Sequence, residues 1–194
     1  MKQVQPFLHA TEIIDFHESA VWSTAKALAK DTRSDTEIAR NCFEYVRDEI
    51  RHSGDHRDDV TTCKASEVLR YQTGWCYAKS HLLAALLRVN GIPAGFCYQR
   101  LSCSEYREGI YCLHGLNWIY LKAYGWYRVD ARGNKEGVDA QFDPPHEKLA
   151  FALAEGEFDL PEKLSDPLDV VVDALQRYGS YAEMVAYFPD VKSN

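Results

Sequence analysis

No stretch of this sequence is apolar for the roughly 20 consecutive residues that a membrane-spanning helix needs. The opening residues Met1-Lys2-Gln3-Val4-Gln5-Pro6 also lack the apolar run of a secretory signal. Together these absences make the cytosol the expected compartment and remove the membrane as an expected partner. Internal repeats and low-complexity tracts are missing, which excludes solenoid and fibrous architectures. Positive charge is in short supply: 22 Lys and Arg against 29 Asp and Glu give a net charge of -7, and the basic residues are dispersed, so no footprint for nucleic acid is present. The six cysteines, Cys42, Cys63, Cys76, Cys97, Cys103 and Cys112, include none of the close pairs that structural zinc sites use. In a reducing cytosol they are expected to be free thiols.

The composition is that of a globular protein, with 46% hydrophobic, 26% charged and 12% aromatic residues. A chain of 194 residues can bury a core without staples, so residues 1–194 are read as a single domain. Apolar residues at helical spacing predict a helix over 11–30, with Thr11 as cap, and a second from Ser34 or Asp35 to about Ile50. Residues 54–59 read as a surface loop and 65–71 as a short helix, which Thr73-Gly74 ends. From Cys76 to Asn90 the apolar residues cover so much of the circumference that this helix should lie centrally. Asn90-Gly91 stops it and Pro93 turns the chain into a strand over 94–101. Residues 111–121 and 126–129 predict an antiparallel hairpin. Beyond Gly133 the reading is loop, a brief helix over 147–154, and a last helix opened by Asp166-Pro167.

Cys76 then sits in the first turn of the central helix, where free N–H groups and the helix dipole favour a thiolate. A thiolate nucleophile needs an imidazole to exchange a proton with the leaving group, and a carboxylate to orient that imidazole. His114 and Asp130 supply these types in chain order. Hairpin register decides whether they can meet. A three-residue loop of Lys122, Ala123 and Tyr124 would pair Leu121 with Gly125 and Leu116 with Asp130, leaving His114 diagonal to the carboxylate on one face. A two-residue loop would put the two on opposite faces. Cys42, Cys97 and Cys112 read as core, whereas Cys63 and Cys103 fall in predicted loops and are expected to be more exposed. His52, Asp55, His56, Asp58 and Asp59 cluster in sequence, but such groups in a glycine-containing loop are usually solvated, so no metal and no cofactor is expected.

These residues carry a resemblance to the transglutaminase-like superfamily. The matching pieces are Gly74-Trp75-Cys76, the run Leu86-Leu87-Arg88-Val89-Asn90-Gly91-Ile92-Pro93-Ala94, His114 ahead of Trp118-Ile119-Tyr120-Leu121, and Gly125-Trp126 with Val129-Asp130. The resemblance covers about residues 36–134, with 1–35 as an N-terminal helical extension and 135–194 as a C-terminal elaboration of loops and helix. It implies an α+β papain-like core, a central helix bearing the nucleophile on an antiparallel sheet, and a Cys76–His114–Asp130 triad. Its implied activity is cysteine-dependent acyl transfer or hydrolysis on an amide, of peptidase, deamidase or transglutaminase type, through a thioester. Trp75, Tyr77 and His52 are its candidate substrate-binding residues, and the expected partner is a peptide, protein or small amide. The sequence departs from the family pattern at His52, where an aromatic such as Tyr is common, and at Ala131-Arg132 in place of Pro-Thr. Two alternatives stay open: an arylamine-acetyltransferase-like acyltransferase, and a catalytically silent member that binds peptide or protein in the cleft. The C-terminal segment, whose stretch Gly156-Glu157-Phe158-Asp159-Leu160-Pro161 mixes acidic and aromatic residues, is further expected to wrap back and wall one end of that cleft.

Overall fold

A computed structural model describes residues 4–191. After a 3-10 turn at Gln5–Leu8, helices α1 (Ser19–Leu28) and α2 (Asp35–Glu49) lead into the short strand β1 (Arg51–His52) and the single-turn helix α3 (Ser53–His56). Next come α4 (Ala65–Tyr71), β2 (Thr73–Gly74), α5 (Cys76–Val89), and the strands β3 (Ala94–Ser102), β4 (Tyr111–Leu121) and β5 (Gly125–Val129). The chain finishes with β6 (Gln141–Asp143), β7 (His146–Lys148), β8 (Phe158–Asp159), α6 (Asp169–Arg177) and α7 (Tyr181–Ala186). A four-stranded antiparallel sheet runs in the order β5-β4-β3-β8, and β1 pairs with β2 in parallel. The class is α+β, and among the described residues no helix is long and apolar enough to cross a membrane.

Every residue of α5 is buried, as its all-round apolar pattern requires. Helices α1, α2 and α4 pack around it, and β3 and β4 cover its remaining side. Its few polar side chains must then find partners inside the protein. Ser80 Oγ bonds back to the Cys76 carbonyl at 2.8 Å, and His81 Nδ1 lies 2.7 Å from the Cys63 carbonyl. Arg88 gathers carbonyls from three distant segments: Ala94 at 2.7 and 3.0 Å, His9 at 2.6 Å, and Ser165. One guanidinium thus ties both terminal regions to the central helix.

The β4–β5 hairpin has the three-residue loop, with Leu121 opposite Gly125 and Asn117 opposite Val129. Gly125 takes φ +76°, a left-handed value that glycine reaches without strain. Continuing this register one step sets Leu116 beside Asp130, so His114 and Asp130 share a face.

Several local expectations are corrected. The first helix starts at Ser19, not Thr11, because residues 11–16 wind into tight turns: Ile14 N–H bonds Thr11 Oγ1 at 3.0 Å, and Asp15 caps α4 through Ser66 N at 2.9 Å. The supposed loop at 54–59 begins as α3, with Ser53 and Gly54 buried. No helix forms over 147–154. Pro144-Pro145 instead reverses the chain between β6 and β7, and Arg128 holds Glu147 there at 2.7 Å. Helix α6 is capped at Leu168, since Asp166 is occupied by Ser165 Oγ at 2.8 Å. The last helix, α7, was not anticipated, although Ser180-x-x-Glu183 forms a complete capping box at its start. The expectation of six free thiols is corrected too: Cys103 and Cys112 form a disulfide across the β3–β4 connection, with Cα atoms 6.0 Å apart. Cys63 and Cys103 are both buried rather than exposed.

Arg88→Ala should lower the free energy of unfolding by about 3–5 kcal/mol, because it deletes several charge-assisted hydrogen bonds and strands buried carbonyls. Urea unfolding would check this; a loss below about 1 kcal/mol would mean that water replaces the guanidinium at little cost.

Candidate active site

Cys76 is the first residue of α5, and its N-cap, Trp75, offers no side-chain acceptor to the first N–H groups. Those donors and the helix dipole face whatever lies at Cys76, which favours a thiolate. Strand β4 approaches so closely that the Gly115 N–H lies 3.5 Å from Cys76 Sγ. Glycine is needed for this approach: a Cβ at residue 115 would sit 3.0 Å from Tyr77 Cδ1 and 3.2 Å from Tyr77 Cα.

The preceding residue, His114, is 5% exposed and bridges Asp130 and the sulfur. Its Nε2 lies 2.7 Å from Asp130 Oδ2. An ionised carboxylate only accepts hydrogen bonds, so Nε2 carries the proton and Nδ1 is left for Cys76. Asp130 is held in turn by two backbone donors, Arg132 N–H at 3.2 Å and Ala150 N–H at 3.0 Å. All three residues that the chemistry requires are therefore brought together.

Charge follows from this geometry. Burial alone would push the Cys76 thiol up, but the His114 imidazole, helped by His52, brings it down to about 6. Burial would likewise push His114 down, and Asp130 with the Cys76 thiolate lifts it to about 10 instead. Burial raises Asp130 as well, yet the His114 charge holds it below the usual carboxylate range. Cys42, Cys63 and Cys97, where desolvation dominates, are pushed up to about 12. Cys76 alone among these four is poised as a thiolate at neutral pH.

His52 reaches the same sulfur. Lys79, buried three residues along α5 from Cys76, donates to the Ile50 carbonyl and, at 3.4 Å, to the Arg47 carbonyl at the C-terminus of α2, and burial pulls its amine down to about 7. The chain then leaves as β1, which sets His52 beside Gly74, two residues before the nucleophile. His52 Nδ1 lies 3.5 Å from Asp55 Oδ2 and has no nearer polar partner. That is long for a hydrogen bond. Asp55 is clamped by both Nη atoms of Arg132 and by Lys135 at 2.9 Å. Arg132 thus serves both imidazoles, His114 through its backbone N–H to Asp130 and His52 through its guanidinium on Asp55.

A cavity of about 470 Å³ opens over Cys76 and is lined by His52, Trp75 and Tyr77 among others. Trp75 forms its wall, stacked on Tyr181 with ring centres 6.0 Å apart and edge-on to Phe188 at 5.2 Å. The Tyr77 hydroxyl is committed to the Leu113 carbonyl. Phe151 packs edge-on against His114 at 5.1 Å. Sequence reasoning missed Asp55, Arg132, Tyr106, Phe151 and Phe188. The signals for the first two were present, Asp55 one helical turn after His52 and Arg132 at the departure from the family's Pro-Thr. The wall residues come from segments distant in sequence, where no local pattern announces them. Asp58 and Asp59 of the acidic cluster turn away, to Arg51 and to the Tyr181 N–H. No group of three or more His, Cys, Asp or Glu among the described residues is placed to hold a metal ion.

Alkylation of Cys76 by iodoacetamide should rise as pH passes through about 6 and then level off, while Cys42, Cys63 and Cys97 stay inert. In His114→Ala the rise should move toward the ordinary thiol value near ~8.5. A wild-type inflection already at that ordinary value would contradict the ion pair.

The family model described as the transglutaminase-like superfamily matches residues 23–131. A solved structure described as a candidate cysteine protease from Cytophaga hutchinsonii superposes with a TM-score of 0.54 at 16% identity, over 68% of this chain and 43% of that one. The likeness is therefore one of fold, and this chain spans less than half of that protein. No curated protein matches the chain in sequence.

Proposed function

The chain belongs to the transglutaminase-like superfamily, and from that premise we propose that it is a cysteine-dependent acyl-transfer enzyme acting on amides or esters. The observation that carries this reading is the buried Cys76, at a helix start, paired with a His114 imidazole that Asp130 orients at 2.7 Å. In the reaction the Cys76 thiolate attacks the carbonyl carbon and forms a C–S bond. The carbonyl π pair moves to oxygen, where the Cys76 N–H and the His52 ring are donors for the charge that develops. As the oxyanion collapses, the C–N or C–O bond breaks, and His114 gives its proton to the departing amine or alcohol. Water or an amine then loses a proton to His114 while bonding to the acyl carbon, and the thiolate leaves. Hydrolysis and transamidation differ only in this acceptor. Asp130 keeps the imidazole in the tautomer that both half-reactions need.

Incubation with an activated aryl ester or acyl thioester should add one acyl mass to the intact protein, and peptide mapping should find it on Cys76. Cys76→Ala should remove the adduct entirely. Asp130→Asn should slow acylation by about 10²–10⁴-fold, and Arg132→Ala, which keeps the backbone N–H on Asp130 but releases Asp55 behind His52, by about 10²-fold. An adduct on another residue, or one unaffected by Asp130→Asn, would contradict the assignment. Absence of any adduct while Cys76 still alkylates at neutral pH would instead favour the reading as a peptide- or protein-binding member of the fold.

A further inference from the structure

Resting on the acyl-transfer reading, we propose that the natural substrate is a small amide or ester with an apolar, aromatic-sized acyl group, and that the chain's own C-terminal segment excludes extended polypeptides from Cys76. The first observation is the strand edge beside the nucleophile. Strand β5 pairs with β4 only as far as Asn117, so the β4 edge before His114 carries no strand on that side, its Leu113 carbonyl being met by the Tyr77 hydroxyl. An extended peptide would add itself there, through main-chain hydrogen bonds. The position is already taken: the Leu113 N–H donates to the Pro189 carbonyl at 2.9 Å. Asp190 secures the segment through two bonds to Arg100, at 2.7 and 2.8 Å.

The second observation is the shape and lining of the space that remains. Phe188 enters the cavity between Trp75, at 5.2 Å, and Tyr106, at 5.1 Å. Residues 103–106, with Cys112 tied to Cys103 by the disulfide, form another wall, and Phe151, Ala152 and Ala154 form a further one with Phe151 against His114. Cys76 is only 7% exposed at the base. The remaining volume of about 470 Å³ lies within the roughly 300–1,000 Å³ of small-molecule sites. Its apolar side chains, Trp75, Tyr106, Leu113, Phe151 and Phe188, suit an aromatic or branched acyl group better than a polar side chain. Arg132 and Lys135, which also line the cavity, are already paired with Asp55 and offer no free charge to a carboxylate.

A bulky reagent can reach Cys76 only when the segment after α7 lifts away. If that open state is populated at on the order of 0.1–10%, the apparent rate for a bulky reagent falls by roughly 10- to 1,000-fold. The test uses the full chain and one electrophile, a chloroacetyl amide, carried either on phenethylamine or on a central lysine of a long flexible peptide. Labelling of Cys76 is followed by mass spectrometry, and each rate is divided by the same probe's rate with glutathione. The wild-type chain should favour the small probe by at least about tenfold, and Asp190→Ala should narrow that ratio by accelerating the peptide probe alone. Equal normalised rates for the two probes in the wild-type chain would overturn the proposal, as would a ratio that Asp190→Ala leaves unchanged. Failure of the acyl-transfer reading would show separately, as a small-probe rate no faster than that of an ordinary thiol.

Discussion

The site depends on how closely β4 approaches the first turn of α5. Gly115 lies against Tyr77 with no room for a side chain, and this contact brings the Cys76 sulfur within reach of both the Gly115 N–H and the His114 ring. At that separation an imidazolium and a thiolate stabilise each other strongly, because little water remains to screen them. Everything else in the site serves this pair. The hairpin register turns Asp130 to the same face, and the buried length of α5 holds Cys76 against the sheet.

Much of this was legible in the sequence where a local pattern carried it. The all-round apolar helix, the strand after Pro93 and the β4–β5 hairpin follow from periodicity and turn chemistry, but the parity that sets His114 and Asp130 on one face was open between two loop lengths and is settled only by the register itself. Local patterns failed where a side chain served a distant segment. Asp15 looked like part of a helix and instead caps α4; Ala150 looked helical, but its N–H is spent on Asp130. Arg132 read as a departure from a family pattern, whereas in the fold it joins Asp130 to Asp55. The cavity wall was the least legible part, since Tyr106, Phe151 and Phe188 come from three separate connections. The C-terminal segment contributes Phe151, Glu157 and Phe188 to the cavity lining, while Phe158–Asp159 of its acidic and aromatic stretch extends the sheet as β8.

The two departures from the family pattern are coupled in space. His52 replaces an aromatic side chain with a ring that can carry charge, and Asp55 stands behind it. Arg132 replaces a neutral residue and pairs with Asp55, so the buried guanidinium beside the site is compensated. Lys135 extends this network to Glu105 on the disulfide-tied connection, linking the charge state near Cys76 to the wall of the cavity. Loss of the Arg132 side chain would leave Asp55 with only the more exposed Lys135 as a charged partner.

The central claim is that His114 is a positively charged ring beside a negative sulfur at neutral pH. Nitrogen-15 NMR of the His114 side chain tests it most directly. The account predicts imidazolium shifts for both ring nitrogens at neutral pH, persisting until pH approaches about 10, and a markedly lower titration point in Cys76→Ser. A neutral ring in the wild-type protein, titrating near the ordinary histidine value of about 6.5, would contradict it.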